Sequence, residues 1–165
     1  RFTEPSKRRI AHRGPEKTFI HISSMEIDTV IENIISLLDL DLKGKTPVDK
    51  ESLVSLFTEK YLDLIINTNT NEVLSYDKDT IALCIPSEGL NNIEVRITVK
   101  EKPLVDSIVH IMLKEGKKEH YKIKGTIYSE RTIKIGEHYR LDIKIEMKSL
   151  SAINNLKAIL YFIQS

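Results

Sequence analysis

Near its end the chain alternates strictly. Tyr139, Leu141, Ile143, Ile145 and Met147 are apolar, and Arg140, Asp142, Lys144, Glu146 and Lys148 between them are charged. A period of two is the spacing of a β-strand with one dry and one wet face, because successive side chains point to opposite sides. Ile93, Val95, Ile97 and Val99 repeat the pattern against Glu94, Arg96, Thr98 and Lys100. Two such strands imply an antiparallel sheet that buries one face and wets the other. No catalytic motif interrupts either run.

The remaining elements follow from periodicity and punctuation. Ile27, Val30, Ile31, Ile34, Ile35 and Leu38 recur at three- and four-residue spacing, which predicts a helix with one buried stripe. Ser23 and Glu26 stand just ahead of it at the spacing of a capping box. A second helix is expected from Thr46-Pro47, where Thr suits the N-cap and Pro the first helical position. Leu53, Leu56, Phe57, Tyr61 and Leu64 would form its stripe, widened by Val54, Leu62 and Ile65, and the Asn-Thr run at 67–71 would end it.

The rest reads as strands. Residues 17–22 make a short one, and 73–76 and 80–85 a hairpin around Asp77-Lys78-Asp79. Residues 108–113 are apolar on both faces, which fits a central strand or a short helix. Glu115-Gly116-Lys117-Lys118 is hairpin material and favours the strand. Gly125, inside the next strand, predicts a bulge or the close approach of another backbone. Ser149 or Ser151 would cap a last helix over 152–163, with Ile153, Leu156, Leu160 and Ile163 inward. Two helices, five to seven mainly antiparallel strands and a C-terminal helix make an α+β fold. A chain of 165 residues suits one domain, here 18–165, preceded by a flexible arm over 1–17.

The single cysteine, Cys84, lies between Leu83 and Ile85 and reads as a small buried hydrophobe. With no second cysteine and no Asn-x-Ser/Thr acceptor, the chain suits a reducing, intracellular setting, cytoplasmic or nuclear. No apolar run reaches the ~18 residues of a transmembrane segment. Residues 1–13 are basic with no apolar stretch behind them, unlike a secretory signal. Whether a targeting segment precedes them, or the chain is a fragment, stays open.

Charge is uneven. Residues 1–17 hold Arg1, Lys7, Arg8, Arg9, Arg13 and Lys17 against Glu4 and Glu16, a net +4. The other residues carry 19 basic and 22 acidic side chains, a net −3. The six basic residues are the candidate binding residues. A dense cationic run on flexible chain fits phosphates of a nucleic acid, an anionic membrane surface or an acidic protein partner.

Candidates for chemistry are sparse. The glycines form no phosphate-binding loop, and there is no zinc-type cysteine pattern and no nucleophile elbow. His110, His120 and His138 share the polar register of their strands, so a metal or catalytic site would need them to converge. Glu119, Glu130, Glu137, Asp142 and Glu146 could supply a carboxylate pair. They are interleaved with Lys118, Arg131, Arg140, Lys144 and Lys148, as on a sheet face with cross-strand ion pairs. The expectation is a non-catalytic assembly or interaction domain, of structural or scaffold type, a viral matrix-like component among the possibilities. It would use no cofactor, metal or small-molecule substrate. Its partners would be proteins or further copies of itself, with the arm as an electrostatic tether. A nucleic-acid-binding protein is the alternative, and an enzyme of unfamiliar type the third.

Overall fold

The computed structural model describes residues 17–85, 92–103, 108–133 and 138–165. It has three helices and one seven-stranded antiparallel sheet, an α+β fold. The strands are β1 (Ile20–His21), β2 (Asp63–Thr68), β3 (Ala82–Cys84), β4 (Asn92–Val99), β5 (Ile108–Glu115), β6 (Lys118–Ile133) and β7 (His138–Glu146). The helices are α1 (Ile27–Leu37), α2 (Lys50–Glu59) and α3 (Leu150–Gln164). Across the sheet the order is β1-β3-β4-β7-β6-β5-β2.

The alternating segments behave as their pattern requires. Ile93, Val95, Ile97 and Val99 of β4 and Leu141, Ile143 and Ile145 of β7 are buried and paired with one another or with neighbours in one core. Residues 108–115 form a strand, and Gly116 turns the β5–β6 hairpin at φ +60°. Gly125 sits where a Cβ would collide with Ile143 Cγ2, so glycine is needed there for space.

Helix α3 lies against β6 and carries the core on almost every side: Ile153, Leu156, Ala158, Ile159, Leu160 and Ile163 are all buried. Helices α1 and α2 reach α3 and form a further layer. A helix buried all round needs partners for its polar side chains. Lys157 finds Asp28 of α1 at 3.2 Å, and the Tyr161 hydroxyl bonds the same carboxylate. Ser149 caps α3 by accepting from the Ala152 N–H at 3.2 Å.

Four expectations need correction. The capping box at Ser23 and Glu26 does not form: α1 starts after Glu26 with no side-chain cap, and residues 22–24 make a 3-10 turn. Tertiary bonds take that stretch, since Gln164 Nε2 donates to the carbonyls of Ile22 (2.9 Å) and Met25 (2.6 Å). The second helix is capped by Asp49, whose side chain accepts from the Ser52 N–H at 2.8 Å, and it ends at Glu59. Leu64 therefore does not belong to its stripe, Leu62 and Ile65 do not widen it, and Tyr61 is 84% exposed. Residues 63–68 pair with β5, and Leu64, Ile66 and Thr68 turn inward; the strand is written in a two-residue period that long-range pairing selects.

Third, 73–76 and 80–85 are not a hairpin. The Leu74 N–H donates to Ile66 O of β2 at 2.8 Å, and Lys100 N–H to Ser75 O and Asp77 N–H to Thr98 O at the end of β4. One short segment thus stitches the last strand of the sheet to the third, so the sheet curls toward a barrel. The Tyr76 hydroxyl donates to Leu64 O at 2.7 Å and satisfies that edge further. Fourth, the outer face is not wet throughout. Glu94 and Asp142 stand on it by register, yet they are only 3% and 6% exposed.

Candidate functional site: the outer face of the sheet

The outer face is built by β3, β4, β7 and β6. Strand pairing sets Arg96 directly across from Asp142, and Glu94 across from Lys144. Arg96 Nε and Nη2 donate to the two Asp142 oxygens at 2.8 and 3.2 Å. The Phe19 ring lies over the guanidinium at 3.7 Å and shields it. Both buried carboxylates of this face are thereby neutralised by a cation: Asp142 by Arg96, and Glu94 by Lys17, whose Nζ lies 2.9 Å from Glu94 Oε1.

A register shift between Ile127 and Ser129 brings Tyr128 onto this face. Its ring holds Lys17 Nζ and Lys144 Nζ, each 4.8 Å from the centroid, and its hydroxyl accepts from Lys17 at 3.4 Å. Lys17 is the last of the six basic arm residues named from sequence, and it is anchored at three points. Arg1, Lys7, Arg8, Arg9 and Arg13 lie outside the described residues.

Around this anchor the remaining charge is mostly positive. Lys122 and Lys124 follow one another on the outer side of β6, and Arg131 and Arg140 stand opposite each other on β6 and β7. A like-charge pair directly across a ladder costs stability. Among the described residues, Lys124, Lys144, Arg131 and Arg140 form no ion pair with a carboxylate. Of the carboxylates that share the strands, Glu146 meets Lys148 at 2.9 Å and Glu130 meets Lys102 at 3.7 Å, while Glu119 meets Lys122 of this face at 3.7 Å. The Lys148 bond, and then its charge, hold the Glu146 carboxyl below the usual carboxylate range.

At one end of the face the sheet opens. The β6–β7 ladder stops at Thr126↔Lys144, while β5–β6 and β4–β7 pairing runs on to Lys118 and Glu146. The two strands splay, and the start of α3 stands behind the gap. A cavity of about 450 Å³ fills it, lined by Lys122, Lys124, Thr126, Lys144 and Glu146 and backed by Ser149 and Ser151. Asn155 Nδ2 of α3 donates to the Lys122 carbonyl at 3.0 Å and so ties the helix to the open strand.

The other candidates disperse. His110 faces Lys124 and His138 faces Ile133 across their ladders, which separates them by roughly 30 Å of strand. His120 bonds Glu115 at 3.0 Å, and that bond is the main reason the Glu115 carboxyl titrates low. Burial, then the Lys122 charge, lowers the His110 pKa. Among the described residues no three His, Cys, Asp or Glu side chains group as metal ligands. Glu137 lies outside the described residues; Glu119, Glu130, Asp142 and Glu146 each meet a cation, but of the lysines and arginines interleaved with them only Lys148 is one of the partners, the others being Lys122, Lys102 and Arg96. Cys84 is buried on the outer face opposite Glu94, and burial raises its thiol pKa. Among the described residues no helix is long and apolar enough to cross a membrane. No protein-family model, no curated protein and no solved structure matches the chain.

Proposed function

We propose that this is a non-catalytic interaction domain that binds an acidic macromolecular partner, with the basic arm and the outer face of the sheet acting as one surface. The observation that carries the reading is the position of Lys17. It belongs to the arm's run of cations, and it is fixed on the same face as Lys124, Lys144, Arg131 and Arg140. Arg13 is only four residues before Lys17 in sequence, so chain length bounds how far it can lie from that face. Buried carboxylates that are already paired leave the face its positive sign, and unpaired cations raise the local concentration of an anionic partner.

The broad apolar stripe expected on the second helix is narrower than its sequence suggests, because Leu64 and Ile65 belong to β2, and it adds little to the case for self-association. An electrostatic contact is tested by salt. Heparin serves as a polyanion probe, and its affinity for the full chain should fall steeply as salt rises. Removing residues 1–13 should weaken binding at least tenfold and flatten the salt slope. Equal affinity and slope with and without the arm would remove the arm from the surface.

A further inference from the structure

The geometry points to a phosphodiester chain as the partner, specifically a single-stranded nucleic acid whose backbone runs along the outer face and seats one phosphate in the gap between β6 and β7. This inference rests on the acidic-partner reading and adds the chemistry of the partner to it.

Three observations carry it. The first is spacing. Lys122 and Lys124 are alternate residues of an extended strand, about 7 Å apart, close to the phosphate-to-phosphate step of a stretched nucleic-acid strand. Thr126 continues the row and lies across from Lys144, and Lys144 shares the Tyr128 ring with Lys17. The row therefore runs from the gap to Lys17.

The second is residue type. Every cation lining the gap is a lysine. Lysine offers a compact point charge with rotatable donors, which can meet a phosphate oxygen from many directions, whereas the arginine fork grips planar carboxylates and phosphates alike. The one carboxylate of this face that is gripped by a fork, Asp142, is an internal one.

The third is the gap itself. A two-stranded ladder normally leaves no room between its strands, but here it ends at Thr126↔Lys144 and opens a cavity of about 450 Å³. Its rim carries Lys122, Lys124 and Lys144 beside the Glu146 carboxylate, which Lys148 holds at 2.9 Å, and the hydroxyls of Thr126, Ser149 and Ser151 add donors. All three lysines are exposed, and Lys124 and Lys144 meet no carboxylate among the described residues, while Lys122 shares its charge with Glu119 at 3.7 Å.

The test is fluorescence anisotropy of a labelled 12-nucleotide single strand with the full chain and with Lys124→Ala and Lys144→Ala, run beside heparin, poly-glutamate and inorganic pyrophosphate as competitors. The expected result is binding of the oligonucleotide that each substitution weakens about five- to tenfold, with the salt slope reduced by roughly 0.7 per lost phosphate contact. Pyrophosphate should compete with the intact chain and lose that effect in both variants. Both lysines are exposed, and an unchanged melting temperature separates loss of contact from loss of fold. Oligonucleotide affinity unchanged by both substitutions, yet abolished without residues 1–13, would overturn the gap as a phosphate site and leave the acidic-partner reading standing. Poly-glutamate competing as well as the oligonucleotide would overturn the phosphodiester chemistry alone. Failure to bind any of the polyanions would sink both.

Discussion

Arg96 and Asp142 face each other across the β4–β7 ladder and meet through two hydrogen bonds, at 2.8 and 3.2 Å, on a face where the carboxylate is almost fully buried. The pair turns what sequence alone would leave in water into a covered ionic contact.

Breaking this pair from one side leaves a buried charge without a partner. Arg96→Ala should therefore cost on the order of 3 kcal/mol in urea unfolding. Replacing both residues together should cost clearly less than the sum of the two single changes. A loss below about 0.5 kcal/mol, the usual value of an exposed pair, would show that Asp142 is solvated.

Gly125 and Ile143 make a second close contact. A Cβ at 125 would meet Ile143 Cγ2 and the Lys144 carbonyl, so Gly125→Ala should destabilise by about 1–3 kcal/mol through overpacking. The glycine has no left-handed backbone to relieve, so the expected damage is steric. A stability unchanged or raised by the alanine would contradict the close approach of β7.

Ser149 caps a helix that is buried along nearly its whole length. Ser149→Ala should lower stability by about 1 kcal/mol, and Ser149→Asp should restore most of it. Thermal melting of the two variants decides this, and a neutral alanine substitution would place the start of α3 elsewhere.

The Asp28–Tyr161–Lys157 contact makes stability depend on pH at both extremes. Asp28 titrates below its ordinary value, chiefly because the Tyr161 hydroxyl bonds its carboxylate, with Lys157 adding its charge. A lowered folded-state pKa means stabilisation that is present above the ordinary carboxylate value and is lost as pH falls through the folded one. Tyr161 titrates above its ordinary value, first from burial and then from Asp28. A raised folded-state pKa means stabilisation that is complete below about pH 10 and is lost as pH rises beyond it. Asp28→Asn should flatten the acid limb of a plot of melting temperature against pH. An acid limb identical to that of the unaltered chain would show that Asp28 does not contribute.

The sequence was most legible where one residue's partner is its own neighbour in the pattern. The two-residue period gave β4 and β7, the helical period gave α1 and α3, and Gly125 announced a close approach. It was least legible where a distant segment decides. Residues 63–68 become a strand because β5, more than forty residues on, pairs Leu113 with Leu64. Ser23 and Glu26 do not form a box because residues 22–24 are held in a 3-10 turn by distant partners, the Ile22 N–H bonding Ile81 O and Gln164 bonding the Ile22 and Met25 carbonyls. The basic arm is visible as a run of charge, but the basic face is not. Lys124, Lys144, Arg131 and Arg140 are mixed with glutamates in sequence, and their sign emerges only once Glu94, Asp142, Glu130 and Glu146 are paired off.

The claim on which the account turns is that arm and outer face act as one surface, joined at Lys17. The most direct measurement is a map of backbone amide shifts as a short heparin oligosaccharide is added to the full chain. The perturbed amides should cluster on Lys17, Lys124, Tyr128, Arg131, Arg140 and Lys144 as well as on the arm, with α1 and α2 silent. Shifts confined to residues 1–13, or centred on the helices, would contradict it.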